Sequence, residues 1–183
     1  MLKLTGNLLF VCAGNSCRSP MAMKIAEGAL GNTVTCDSAA GQLKGGKFKA
    51  GGGVSKLAVE ALKELGLDLS EYKPKKLNYD LVKKADYIFF LGEKFMINAK
   101  SRFKDFTDKM YYYGEYESKL SGKMINDIPD PLDGQSWEDY FGKEVNKPVK
   151  EDPVVINYTM VADIMKNRFQ PVLQDMIQKA PTK

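Results

Sequence analysis

Leu8-Leu9-Phe10-Val11-Cys12-Ala13-Gly14-Asn15-Ser16-Cys17-Arg18-Ser19-Pro20 is the stretch whose reading decides the fold. Its apolar run, Leu8 to Val11, carries Cys12 to the end of a strand, and a continuous run of this kind suits a strand buried on both faces of a parallel sheet. Ser19-Pro20 opens a helix, where proline fits because its missing N–H has no intrahelical partner in the first turn. A short loop between strand end and helix start turns backbone N–H groups inward and adds the positive end of the helix dipole, which makes an anion site. A cysteine at the base of such a site is biased toward thiolate. Five residues separate Cys12 from Arg18, whose planar fork can hold two oxygens of a tetrahedral oxyanion. The stretch reads as a nucleophile beneath a cradle for phosphate-like anions.

Outward from it, strands and helices alternate. Thr5 to Val11 is the first strand. Met21, Ala22, Ile25, Ala26 and Ala29 mark a helix over Ser19 to Leu30, which Gly31-Asn32 stops. Thr33 to Ala40 is a second strand. Gly41 to Gly53 holds six glycines and three lysines, Lys44, Lys47 and Lys49, and reads first as a solvated connection and second as a basic flap near a substrate entrance. Val54, Leu57, Ala58, Ala61, Leu62 and Leu65 trace the clearest helix, with Gly66 just past its end. A short helix over Asn78 to Ala85, a strand over Asp86 to Leu91, a helix over Glu93 to Phe103 and a strand over Lys109 to Tyr113 follow. Ser121 to Gly134 is a loop, and Val154 to Lys179 a helical region that Pro171 kinks or divides. This alternation predicts an α/β fold with a parallel sheet between helix layers. Anion sites in such sheets lie at the carboxyl ends of the strands, where Cys12 falls.

At 183 residues the chain suits one domain, spanning residues 1–183 without a linker. Its composition, 44% apolar and 27% charged, is that of a soluble globular protein. No apolar run approaches the roughly 20 residues of a membrane span. Met1 to Gly6 lacks a signal-peptide layout, so a cytoplasmic protein is expected. Three cysteines do not make a disulfide framework and are read as free thiols. A net charge of +4 is too mild to imply nucleic acid as a partner. There is no histidine, which removes cysteine–histidine dyads, serine–histidine–aspartate triads and histidine-ligated metals. Cys12 and Cys17, without a further thiol cluster, make a poor zinc site. Acid–base work therefore falls to a carboxylate, tyrosine or lysine.

Cys12 to Pro20 has the form C-x-G-N-x-C-R-S-P, and in its strand–loop–helix setting it resembles the signature of the low-molecular-weight protein-tyrosine phosphatases. Protein-arginine phosphatases and thioredoxin-coupled arsenate reductases share that superfamily. The resemblance covers most of Asn7 to Asp133. It implies a three-layer sandwich around a four-stranded parallel sheet in the order 2-1-3-4, with an insertion over about Phe141 to Asp152. It also implies a cofactor-free hydrolase acting on phosphorylated proteins, with no membrane partner, as a monomer or weak dimer.

By the same resemblance Cys12 is the nucleophile, and Ala13, Gly14, Asn15, Ser16, Cys17 and Arg18 line the phosphate. Asp130, in Ile128-Pro129-Asp130-Pro131, protonates the leaving group and then activates water; read alone, this segment is a rigid turn. Asn15 shapes the loop, and asparagine tolerates left-handed dihedrals. Ser19 donates to the thiolate, a role that does not conflict with capping the helix, and Ser38 belongs to the supporting network. Cys17 is either a small packed residue or, as several relatives imply, the partner that captures oxidised Cys12 as a disulfide. Cys36 is read as core. Phe48, Leu132 and Asp133 fall on the substrate rim.

The match is uneven at that rim. Tyrosine-specific relatives place aromatics after the Asp-Pro pair, where Leu132 and Asp133 stand, and a bulky aliphatic where Ser16 stands. Arginine phosphatases place threonine there and arsenate reductases serine. Arsenate reductases also need a second cysteine pair after the third strand, and none occurs between Leu91 and Lys183. The signature makes phosphotyrosine the first expected substrate, and the rim makes phosphoarginine the second, with arsenate reduction a further alternative.

Overall fold

The computed structural model describes residues 6–41, 53–115 and 128, and positions 161, 162, 165–169, 171 and 173. Strands β1 (Gly6–Cys12), β2 (Val34–Ala40), β3 (Tyr87–Phe90) and β4 (Met110–Tyr112) form one sheet in the order β2-β1-β3-β4. All three pairings are parallel, with Cys12 opposite Ala40, Val11 opposite Phe90, and Phe90 opposite Tyr112. This is the expected order.

Alternation of side chains across β1 explains its unbroken apolar run. Leu8, Phe10 and Cys12 join a core with Met21, Ala22, Ile25 and Ala26 of α1 (Arg18–Leu30) and Ala58, Ala61 and Leu62 of α2 (Lys56–Glu64). Leu9 and Val11 join a second core with Val82 of α3 (Tyr79–Lys84) and Phe95 and Ala99 of α4 (Glu93–Arg102). Two cores on opposite faces make the three layers. Phe10 and Phe89 stack with centroids 5.5 Å apart, both fully buried, and each such side chain contributes about 1.5–3 kcal/mol by leaving water. Val161, Ala162, Met165 and Leu173 pack against the α1 side, and a π-helical turn, Met165–Phe169, stands just before Pro171.

Element ends move for identifiable reasons. Strand β1 runs on to Cys12, because Cys12 still pairs with Ala40. Helix α2 starts at Lys56 rather than Val54, since the Ser55 N–H is held by the Ser16 carbonyl at 2.8 Å. It ends as expected at Gly66, whose φ of 73° lets Gly66 N bond Lys63 O and Leu67 N bond Leu62 O. Strand β4 is shorter than expected because Lys104–Lys109 winds into 3₁₀ turns.

Beyond α2 the chain returns to the free edge of β2. There Ala40 N donates to Lys75 O at 2.8 Å and Leu77 N to Ala40 O at 2.9 Å. Among the described residues no helix is long and apolar enough to cross a membrane. The expected insertion over Phe141 to Asp152 lies outside the described residues.

Candidate active site

Cys12 ends β1 with 2% of its surface exposed, and its carbonyl accepts from Gly41 N at 2.8 Å. A Cβ at position 41 would lie 2.8 Å from Val11 Cγ1 and 3.1 Å from Phe95 Cβ, so only glycine passes that close to Cys12. Between Cys12 and α1 the loop turns through Asn15, which has a φ of 55° and is fully buried. Helix α1 begins at Arg18, one residue earlier than expected, with Cys17 at the cap position and making no side-chain capping bond. Its first intrahelical bond runs from Met21 N to Cys17 O at 3.1 Å. The Arg18 and Ser19 N–H groups therefore sit at the positive end of the helix dipole.

The helix start corrects one expectation. Ser19 is the second helical residue and not the cap. Its hydroxyl lies 3.0 Å from Cys12 Sγ and accepts from Asn15 Nδ2 at 2.9 Å. The other Asn15 Nδ2 hydrogen goes to Ser38 Oγ, also at 2.9 Å. Asn15 Oδ1 accepts from the Lys75 backbone N–H at 2.9 Å and from Tyr72 Oη at 3.0 Å. Ser38 Oγ donates to Tyr72 Oη at 2.8 Å, and the Ser38 carbonyl lies 2.7 Å from the same phenol. Ser19, Asn15 and Ser38 thus form one buried cluster against Cys12.

Tyr72 and Lys75 escaped the sequence reading. They belong to no motif, and only the need of a buried amide for donors and acceptors could have pointed to them. Burial pushes the Tyr72 phenol up to about 12, its bonds to Ser38 and Asn15 oppose that, and the nearby Asp37 and Cys12 add to it. The Lys75 ammonium pairs with Asp37 at 2.7 Å.

Arg18 is 6% exposed, and its Nη1 donates to the Ile128 carbonyl at 3.0 Å, bridging 110 positions of sequence. Asp130, Leu132, Asp133 and Phe48 lie outside the described residues. Cys17 is buried, with Sγ 3.8 Å from Met21 Sδ. Cys36 packs against the α1-side core, where burial, then the Glu27 carboxylate, push its thiol up to about 12. All three cysteines are free thiols.

A thiol that ends β1 and an arginine that opens α1, joined by a five-residue loop, put Cys12 in a phosphate-binding loop region at the carboxyl edge of an α/β sheet. The chain belongs to the low molecular weight phosphotyrosine protein phosphatase family, whose pattern matches residues 7–154. EpsP of Ralstonia solanacearum, named a probable low molecular weight protein-tyrosine-phosphatase, is 32% identical over 124 residues, which are 68% of this chain and 77% of that protein. An arsenate reductase of Brevibacillus brevis is 37% identical over 84 residues, 46% of this chain and 57% of that protein. The solved structure of the YwlE arginine phosphatase from Geobacillus stearothermophilus shares the fold at a TM-score of 0.67 and 22% identity, covering 97% of this chain and 99% of that one.

Proposed function

We propose that this protein hydrolyses phosphotyrosine in proteins through a cysteinyl-phosphate, without a cofactor. The observation that carries the reading is Cys12 Sγ, 3.0 Å from the Ser19 hydroxyl, in a loop that ends on the buried Arg18. Sulfur attacks phosphorus, and an S–P bond forms as the P–O bond to the tyrosine breaks. Charge on the three equatorial oxygens is stabilised by the backbone N–H groups of Ala13 to Arg18 and by the Arg18 guanidinium. Asp130 gives the leaving oxygen its proton, a carboxylic acid being the natural donor in a chain without histidine. Asp130 then takes a proton from water, whose oxygen attacks phosphorus and frees the thiolate and inorganic phosphate. Free thiols at Cys12, Cys17 and Cys36 suit the reducing cytoplasm.

Phosphoarginine is the second reading, favoured by Ser16, a small side chain where tyrosine-specific relatives carry a bulky one. The test compares phosphate release from phosphotyrosine and phosphoarginine peptides, with reductant and without metal. Faster turnover of phosphotyrosine supports the first reading, faster turnover of phosphoarginine the second, and turnover of neither overturns both. Cys12→Ser should abolish turnover while keeping oxyanion binding, because it removes the nucleophile and leaves the cradle. Wild-type turnover by that variant would refute the mechanism.

A further inference from the structure

The direction of every hydrogen bond around Asn15 follows from one atom. The Lys75 backbone N–H can only donate, so the Asn15 atom that faces it at 2.9 Å is Oδ1. The amide is then fixed, and Nδ2, which can only donate, faces the two seryl oxygens. Each hydroxyl accepts from Asn15 and keeps its single proton to give elsewhere. That of Ser38 goes to Tyr72 Oη. That of Ser19 has Cys12 Sγ at 3.0 Å and the Ala39 carbonyl at 3.5 Å, so the sulfur is the closer acceptor.

Turning the amide over would set N–H against N–H at Lys75. It would also draw both seryl protons onto Oδ1 and away from the sulfur. The Tyr72 hydroxyl accepts either orientation because it can donate or accept. The Lys75 N–H cannot. Its position is fixed relative to Cys12, since the flanking Lys75 O and Leu77 N both bond Ala40, which stands opposite Cys12 in the sheet.

The geometry points to the backbone N–H of Lys75 as a positioning group that, by fixing the Asn15 amide, directs the Ser19 proton at Cys12 Sγ and so favours the thiolate. The inference rests on Cys12 as the nucleophile, but its test reads the sulfur directly. Iodoacetamide reacts with the thiolate, so alkylation of Cys12, localised by mass spectrometry, is followed from acid to alkaline pH. Lys75→Pro removes the N–H. Asp37→Asn breaks the Lys75 ion pair and leaves the N–H in place.

The rise of alkylation rate with pH should move upward by about one unit in Lys75→Pro, a tenfold slowing on its rising limb. Asp37→Asn should stay within about twofold of wild type. A wild-type profile for Lys75→Pro overturns the inference, as does an equal displacement in Asp37→Asn. Where proline prevents folding, wild-type protein supplies the test: a scalar coupling between the Lys75 amide nitrogen and the Asn15 side-chain carbonyl carbon supports the contact, and its absence overturns it. No phosphate release from either peptide would fail the proposed function and leave the alkylation result standing.

Discussion

The loop from Cys12 to Arg18 and the return segment from Tyr72 to Leu77 meet at one side chain, Asn15, yet they work by different means. The loop acts through side chains that only certain residue types supply: a thiol, a guanidinium and an amide tolerating a φ of 55°. The return segment contributes one phenol and otherwise main-chain groups, which almost any residue carries. Chemistry held in side chains constrains a sequence tightly, and chemistry held in the backbone constrains it hardly at all. Variants on the two sides should therefore fail differently. Loop variants should cost rate, and return-segment variants should cost orientation and stability.

The largest expected effect is at Arg18. Its fork both serves the oxyanion in the proposed reaction and donates to the Ile128 carbonyl. Lysine keeps the charge but loses the planar pair of donors. Arg18→Lys should lower kcat/KM on the order of 10²–10³-fold, the scale of a lost oxyanion donor. A loss under tenfold would show that charge alone suffices, and would remove the contrast on the loop side.

That contrast also explains what was legible beforehand. The strand carrying Cys12 and the helix behind it were readable because apolar periodicity and Pro20 write them into residue types, whereas the sheet order came only through the family resemblance. Ser19 was readable through the resemblance as a neighbour of the thiol, but the capping role read beside it failed because α1 starts at Arg18, and a one-residue shift of a helix end leaves no trace in periodicity. The pairing of Lys75 and Leu77 with Ala40 was not legible, since Lys73-Pro74-Lys75-Lys76 has neither strand alternation nor an apolar face. Tyr72 was not legible either, because nothing local shows that its hydroxyl meets an amide 57 positions earlier.

Asn15 belongs to both regions, so its substitution separates their contributions. Asn15→Ala leaves the Lys75 N–H and the seryl network short of partners, at about 1–3 kcal/mol, and places alanine in the left-handed region at about 1–2 kcal/mol more. Asn15→Gly removes the backbone penalty and keeps the polar one. Urea unfolding should rank wild type above Asn15→Gly and that above Asn15→Ala. If the two variants coincide, the left-handed turn carries no strain that asparagine relieves, and the loop's demand for this residue is purely one of hydrogen bonding.

The smallest effect is expected at Tyr72, where the polarity argument assigns the hydroxyl a supporting part. Tyr72→Phe removes bonds to Asn15 and Ser38 and should cost about 1 kcal/mol at neutral pH. The pH dependence gives this variant its own signature. Burial raises the phenol from its ordinary 10.0 to about 12, so above pH 10 the unfolded chain loses the proton while the folded protein keeps it. With fewer protons bound in the unfolded state, stability falls as pH rises. The contribution of Tyr72 is therefore fully present below about pH 10 and is lost as pH climbs through about 12. Tyr72→Phe has no such proton, so its deficit against wild type should shrink across that window. A deficit that stays constant from neutral to strongly alkaline pH would mean that the phenol is not held neutral by the fold. The return segment would then act on Asn15 through the Lys75 backbone alone, which is the sharper form of the contrast between the two regions.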